Sequence, residues 1–192
     1  MKYLKSLAIF LFLQNVAMAQ SDPQLLRESY FSEVVGEERD YFVYLPSNFS
    51  TRDEWPVLLF LHGDGERGNG KDELDFVRLQ GPLYEAWVQK RDLPFVIIGP
   101  QLPMYGREDV SYIKSRRFED IPKRLAEGVP PRPEKVRSAV PMNGSRSESP
   151  DLIPEGYPDD WNTVAGELVA IVDTIIEKYR GDSGRVYVTG LS

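Results

Sequence analysis

Two stretches of this chain combine residue types and spacings that can do chemistry. The first is Gly190-Leu191-Ser192, which follows the short β-branched run Arg185-Val-Tyr-Val-Thr189. A serine placed where a strand turns sharply into a helix has its hydroxyl lifted clear of the sheet, within reach of a substrate carbonyl. The tripeptide is weak evidence alone: 15 glycines and 14 serines give about one G-x-S by chance, and Gly181-Asp182-Ser183 is another. The second stretch, His62-Gly63-Asp64-Gly65-Glu66-Arg67-Gly68, directly follows an apolar run. Its glycines permit a tight loop whose backbone N–H groups point outward together. Phosphate binding by a P-loop is excluded, because Gly68-Asn69-Gly70-Lys71 lacks the required spacing and ends in Asp72 rather than a hydroxyl residue. The other use is an oxyanion hole, where a donor here and one just after a nucleophilic serine stabilise a tetrahedral intermediate. His62 is the only histidine, and residue type alone makes it a general base for Ser192.

Positioning these stretches requires strands that end beside each other. Tyr30 to Val35 and Arg39 to Leu45 are rich in Val, Tyr and Phe and read as an antiparallel hairpin around Gly36-Glu37-Glu38, closed by Pro46. Val57 to Leu61 and Phe95 to Ile98 are continuous apolar runs, the pattern of strands buried on both faces of a parallel sheet. Between them, Gly81-Pro82 opens a helical stretch through Leu83, Ala86 and Trp87. Asp159-Asp160-Trp161-Asn162 precedes a longer helix that runs to about Tyr179, with Val164, Leu168, Ile171, Val172, Ile175 and Tyr179 on one face and Gly181 just past its end. Strand and helix alternate, which predicts an α/β fold with a parallel sheet. The interruption is a Pro-rich insertion at about 103–158, which holds nine of the fifteen prolines and no sustained periodicity. Its length reads either as a surface excursion or as a lid at a strand's carboxyl end. Arg116-Arg117 within it reads as a solvated pair or as a greeting for an anionic substrate.

Composition narrows the function classes. Residues 1–19 read as a signal peptide: Lys2 and Lys5 precede the apolar run Leu7 to Leu13, and Ala17-Met18-Ala19 is a small-x-small cleavage site. That run is too short to span a bilayer, so no membrane span is expected after cleavage. Without it the chain has 21 basic and 30 acidic residues, a net charge of −9, which disfavours nucleic acid as a partner. Zero cysteines and one histidine argue against disulfides, thiolate metal sites and imidazole metal sites, so neither metal nor cofactor is expected. A secreted or periplasmic location follows from the leader.

Tyr41-Phe-Val-Tyr-Leu-Pro46, Trp55 through Gly68, Gly81-Pro82, Gly99-Pro100-Gln101 and Val186 through Ser192 together resemble the amino-terminal half of an α/β-hydrolase. The likeness is to the secreted esterase branch that includes polyhydroxybutyrate depolymerases, feruloyl and acetylxylan esterases, and the phospholipase/carboxylesterase group. The resemblance implies a single domain over 20–192 whose carboxy-terminal strands are missing. It implies a serine hydrolase acting on a small-molecule or polysaccharide-linked ester through an acyl-enzyme, with Ser192 the nucleophile. The backbone N–H of Asp64, with Gly65, would form the oxyanion hole, and His62, Gly63 and Arg67 would support that turn. His62 is then a loop-shaping residue rather than the base, since the triad acid and histidine follow the serine in this fold. Glu66 and Arg67 are expected to anchor the loop by ion pairs and hydrogen bonds. Asp64 stands where a small or apolar residue is expected and sets a carboxylate near a developing anion. Two other functions stand beside this one: a peptidase of the prolyl-oligopeptidase kind, and a non-catalytic exported binding protein or decayed hydrolase. Arg180-Gly-Asp-Ser183 spells an adhesion tripeptide and the start of a lipase block, but Gly, Asp and Ser are ordinary turn residues between a helix and a strand.

Overall fold

The structure is a computed structural model that describes residues 21–130 and 160–191. Residues 1–20, where a signal peptide is expected, residues 131–159, which hold most of the second half of the insertion, and Ser192 lie outside the described residues. Five strands form one mixed sheet: β1 (Gln24–Ser32), β2 (Glu37–Leu45), β3 (Trp55–Leu61), β4 (Val96–Gly99) and β5 (Gly181–Gly190). Their order is β1-β2-β4-β3-β5, with β2 antiparallel to both β1 and β4, and β3 parallel to both β4 and β5. An antiparallel hairpin leading into crossed-over parallel strands is the architecture of the α/β-hydrolase fold.

The continuous apolar runs are explained by the layers on both faces. Alternate residues point to opposite sides of a strand, so Val43, Leu45, Val57, Leu59, Val96 and Ile98 face one cluster. Phe42, Tyr44, Phe60 and Ile97 face the other. The first cluster is closed by the long helix α3 (Ala165–Lys178) through Leu168, Ile171 and Ile175. The second is closed by Leu74 and Val77 of the 3-10 helix Asp72–Arg78 and by the helix α1 (Gly81–Leu83), which continues as a π-turn over Tyr84–Val88. Gly81 is required there: its φ is +72°, and a Cβ would stand 2.4 Å from the Phe60 ring.

Several boundaries differ from the sequence reading. The hairpin turn spans 33–36 rather than 36–38: Gly36, at φ +74°, donates its N–H to Ser32 O at 2.8 Å. Val34 and Val35 leave the strand because Glu167 of α3 accepts bonds from Ser32 Oγ and from Val34 N, a tertiary contact that overrides β propensity. Helix α3 begins at Ala165, after a turn that spans Trp161–Val164. Arg180, not Gly181, takes the left-handed conformation after it (φ +52°). Gly181 opens β5, and a Cβ there would meet Ile176 Cα at 2.8 Å. Asp182 and Ser183 fall inside β5, at an irregularity where Trp55 pairs with Gly181 and Val57 with Val186. The turn expected there survives as an Asx bond from Gly184 N to Asp182 Oδ1 at 2.8 Å.

Candidate active site

β3 and β5 are hydrogen-bonded neighbours with Leu61 opposite Gly190, so His62 and Leu191 leave the sheet side by side. Leu191 N donates to Leu61 O at 3.0 Å, and a Cβ on Gly63 would lie 3.7 Å from Leu191 Cβ. The two stretches singled out in the sequence therefore meet at one sheet end, the carboxyl end of the parallel strands, where open α/β sheets bind ligands. Ser192 itself lies outside the described residues.

The turn after β3 is a 3-10 helix over Asp64–Glu66. His62 is almost fully buried and uses both ring nitrogens on backbone. Leu102 N donates to Nε2 at 2.9 Å, so the ring proton sits on Nδ1, which donates to Gly63 O at 2.7 Å. Glu66 N donates to the same carbonyl at 3.2 Å. In a trans peptide the carbonyl and the following N–H point opposite ways, so fixing Gly63 O orients the Asp64 N–H outward. No described residue accepts from that N–H. The Trp161 ring packs edge-on against the imidazole at 4.9 Å between centroids, and its indole donates to His62 O at 3.1 Å. Burial pushes the imidazole down to about 4, with the nearby Arg67 and Arg116 charges acting the same way. His62 is a neutral spacer in the wall, with no nitrogen left for a serine.

The loop is tied down from three further directions. Arg67 is buried; its Nε donates to Asp64 Oδ1 at 2.6 Å and Nη1 to Pro103 O at 3.0 Å. The buried Gln101 carboxamide donates to Glu66 O at 2.8 Å and Glu73 O at 2.7 Å, and accepts from Gly70 N at 2.9 Å. Arg39 donates to Gly68 O and Gln101 O. Gly68 must be glycine, since a Cβ would stand 2.5 Å from Gln101 Nε2.

Two expectations for this loop need correction. Glu66 forms no ion pair with Lys or Arg among the described residues; Gln80 Nε2 reaches it at 3.4 Å, and the neutral His62 Nδ1 stands 4.0 Å away. Its burial pushes the carboxyl up. Asp64 does not leave a bare carboxylate beside the turn. Arg67, Arg107 and the Tyr112 hydroxyl all donate to it. Burial would raise its carboxyl, but these donors outweigh that and hold it below the usual carboxylate range.

Arg107 and Tyr112 belong to the described half of the insertion, which folds onto the turn through the short helix α2 (Ser111–Lys114). Arg116 is partly buried beside α2 and donates to Gly65 O at 2.8 Å, Arg67 O at 2.6 Å and Glu73 Oε1 at 3.1 Å. Its partner in the sequence, Arg117, pairs with Asp120 on the surface. The basic pair thus splits between a loop brace and a local ion pair, instead of facing an anion together. No sequence signal marked Arg107, Tyr112 or Trp161 as site residues, because their partners are 43, 48 and 99 positions away. Gln101 stood in the quoted Gly99-Pro100-Gln101 but without a role.

Among the described residues no cluster of His, Asp or Glu is arranged to hold a metal ion, and no helix is long and apolar enough to cross a membrane. No protein-family model and no curated protein sequence matches the chain. Among solved structures it is similar to a thermostable esterase (20% identity, 88% of this chain and 34% of that one, TM-score 0.43). It is also similar to a CE1 ferulic acid esterase from Anaeromyces mucronatus (16% identity, 88% and 49%, TM-score 0.40). A third is FphF, a fluorophosphonate-binding serine hydrolase of Staphylococcus aureus (12% identity, 88% and 48%, TM-score 0.44). The chain spans between a third and a half of the length of these proteins.

Proposed function

We propose that the chain carries the nucleophile and the oxyanion turn of an exported serine hydrolase that cleaves carboxylic esters. The observation that carries this reading is the Gly63–Asp64 peptide. Its carbonyl is held by His62 Nδ1 and Glu66 N, its N–H is turned outward, and the turn abuts Leu191, the residue before Ser192. In the mechanism, Ser192 Oγ attacks the ester carbonyl carbon as a base takes its proton. The oxyanion accepts from Asp64 N–H and from the N–H of the residue after the serine. Collapse expels the alcohol, and water then releases the acid from the acyl-enzyme. One such backbone donor contributes roughly 3 to 4 kcal/mol of transition-state stabilisation. The clamps on Asp64 support the same reading, because they neutralise the carboxylate that would otherwise oppose the anion.

His62 is committed to backbone and is not the base; in this fold the acid and the histidine base come after the serine in the chain. Residues 20–192 then form the first part of one hydrolase domain, with 1–19 as a leader directing it to the periplasm or the medium. Hydrolysis of p-nitrophenyl acyl esters tests the reading. The protein from its native source turns them over, and Ser192→Ala lowers turnover by several orders of magnitude. A protein equally active with Ser192→Ala overturns it.

A further inference from the structure

The chain has a formal charge of −7, and most of its described cations sit against a carboxylate, as Lys71 does with Glu38 and Asp40 or Lys178 with Glu28. Lys123 and Arg124 depart from this. Neither has a carboxylate within ion-pair distance among the described residues, and the Arg124 guanidinium lies over the Trp87 ring at 4.0 Å from its centroid. Both line a cavity of about 410 Å³ together with Arg78, Asp75, Phe118 and Pro122. The one carboxylate there, Asp75, is divided between Arg78 at 3.0 Å and Arg27 at 3.4 Å. Arg78 Nε is buried and has no acceptor among the described residues. Three cations thus face a cavity whose single acid is already shared, on a protein that is acidic elsewhere.

Phe118 is also a wall of a second cavity of about 430 Å³, lined by Phe76, Met104, Ile113 and Arg116. The Phe76 and Phe118 rings are 5.2 Å apart. Arg116 in that second cavity donates to Gly65 O and Arg67 O of the candidate oxyanion turn. Phe118 is therefore a wall shared by the two cavities, and Arg116 ties the second of them, which Glu73 and Glu108 also line, to the turn.

We infer that the Arg78–Lys123–Arg124 cavity binds the carboxylate of a small organic acid group whose planar body lies against Phe118. Planar forks of guanidinium donors match a carboxylate in two-point contact, and Phe118 supplies the apolar face that an inorganic anion does not use. As a binding site this rests on the cavity alone; as a substrate subsite it rests on the ester hydrolase reading.

Benzoate titrated into the full chain at low ionic strength, followed by backbone amide shifts, tests it. Binding is saturable, weakens with added salt, and perturbs amides around residues 78 and 118–124. Lys123→Ala combined with Arg124→Ala weakens it about tenfold or more, as loss of charge-assisted contacts requires. Arg117→Ala, equally cationic but paired with Asp120, leaves it unchanged. Benzamide, the neutral isostere, does not bind. Unsaturable shifts, an undiminished affinity in the double variant, or inorganic sulfate binding as tightly as benzoate each overturns the proposal. Because no catalysis is involved, absent binding in a protein that hydrolyses esters removes this site and leaves the hydrolase reading. Binding in a protein with no Ser192-dependent hydrolysis does the reverse.

Discussion

Arg107 grips Asp64 with two nitrogens, Nε at 3.0 Å and Nη2 at 2.7 Å from the same carboxylate oxygen, across 43 residues of chain. The other oxygen takes Arg67 Nε at 2.6 Å. One carboxylate therefore joins a buried strut of the turn to the segment folded above it.

The two grips differ in cost. Arg67 has a side chain only 1% exposed, whereas that of Arg107 is 27% exposed. Asp64→Ala strands the buried Arg67 Nε and is expected to destabilise the fold by about 2 to 3 kcal/mol. Arg107→Met removes a partly screened contact and costs under about 1 kcal/mol. Urea melts of both variants check this; an Arg107→Met loss equal to that of Asp64→Ala contradicts the assigned difference.

Stability should fall with mild acid. His62 titrates at about 4 in the fold against 6.5 when free. The unfolded chain thus binds the proton more readily, so the contribution is complete above pH 6.5 and is lost as pH falls towards 4. The size is on the order of 3 kcal/mol. Glu66 works in the opposite sense: burial raises its carboxyl, so the fold binds its proton more readily and gains as pH falls. Asp64, held low, adds its own loss only below the ordinary carboxylate range. Unfolding free energy measured from pH 7 to 4.5 declines in the native chain and flattens in His62→Gln. An equal decline in both would assign the acid sensitivity elsewhere.

Gly68→Ala tests how tightly Gln101 is set. The new methyl would press on a carboxamide that makes three bonds within the turn region, so a loss of about 2 to 4 kcal/mol is expected. Combined with Gln101→Ala, which opens the space, the two losses should be clearly less than additive. Full additivity in thermal melts would mean that the clash lies elsewhere.

β5 pairs only with β3 among the described residues, and Tyr187 and Val188 are 49% and 63% exposed. An open apolar edge is a template for association. Sedimentation of the 192-residue chain should show concentration-dependent association that Val188→Lys reduces. A monodisperse monomer with a sharp cooperative melt argues against the edge.

How much of this was written in the sequence follows the range of the interactions. β3 and β4 were legible because strands covered on both faces need unbroken apolar runs, and α3 because its buried residues recur at helical spacing. The hairpin turn was misplaced by residues whose strand propensity lost to Glu167, 133 positions away. Within the site, the glycines and His62 announced a tight turn, since they act on their own backbone. The clamps from Arg107, Tyr112, Arg116 and Trp161 were not legible. Each is a side chain from a non-periodic stretch, and its partner is fixed only by how the chain packs. Arg116 shows the limit best: next to Arg117 it reads as surface charge, yet it is half-buried and donates to two carbonyls of the turn.

The proposed function stands on Ser192 as the nucleophile, with the Asp64 N–H as an oxyanion donor. The most direct measurement is peptide mapping by mass spectrometry of the protein from its native source after reaction with a fluorophosphonate. The account predicts a single stoichiometric adduct on Ser192, lost when the protein is first unfolded. A protein that hydrolyses esters but carries its adduct on another residue, or carries none, would contradict it.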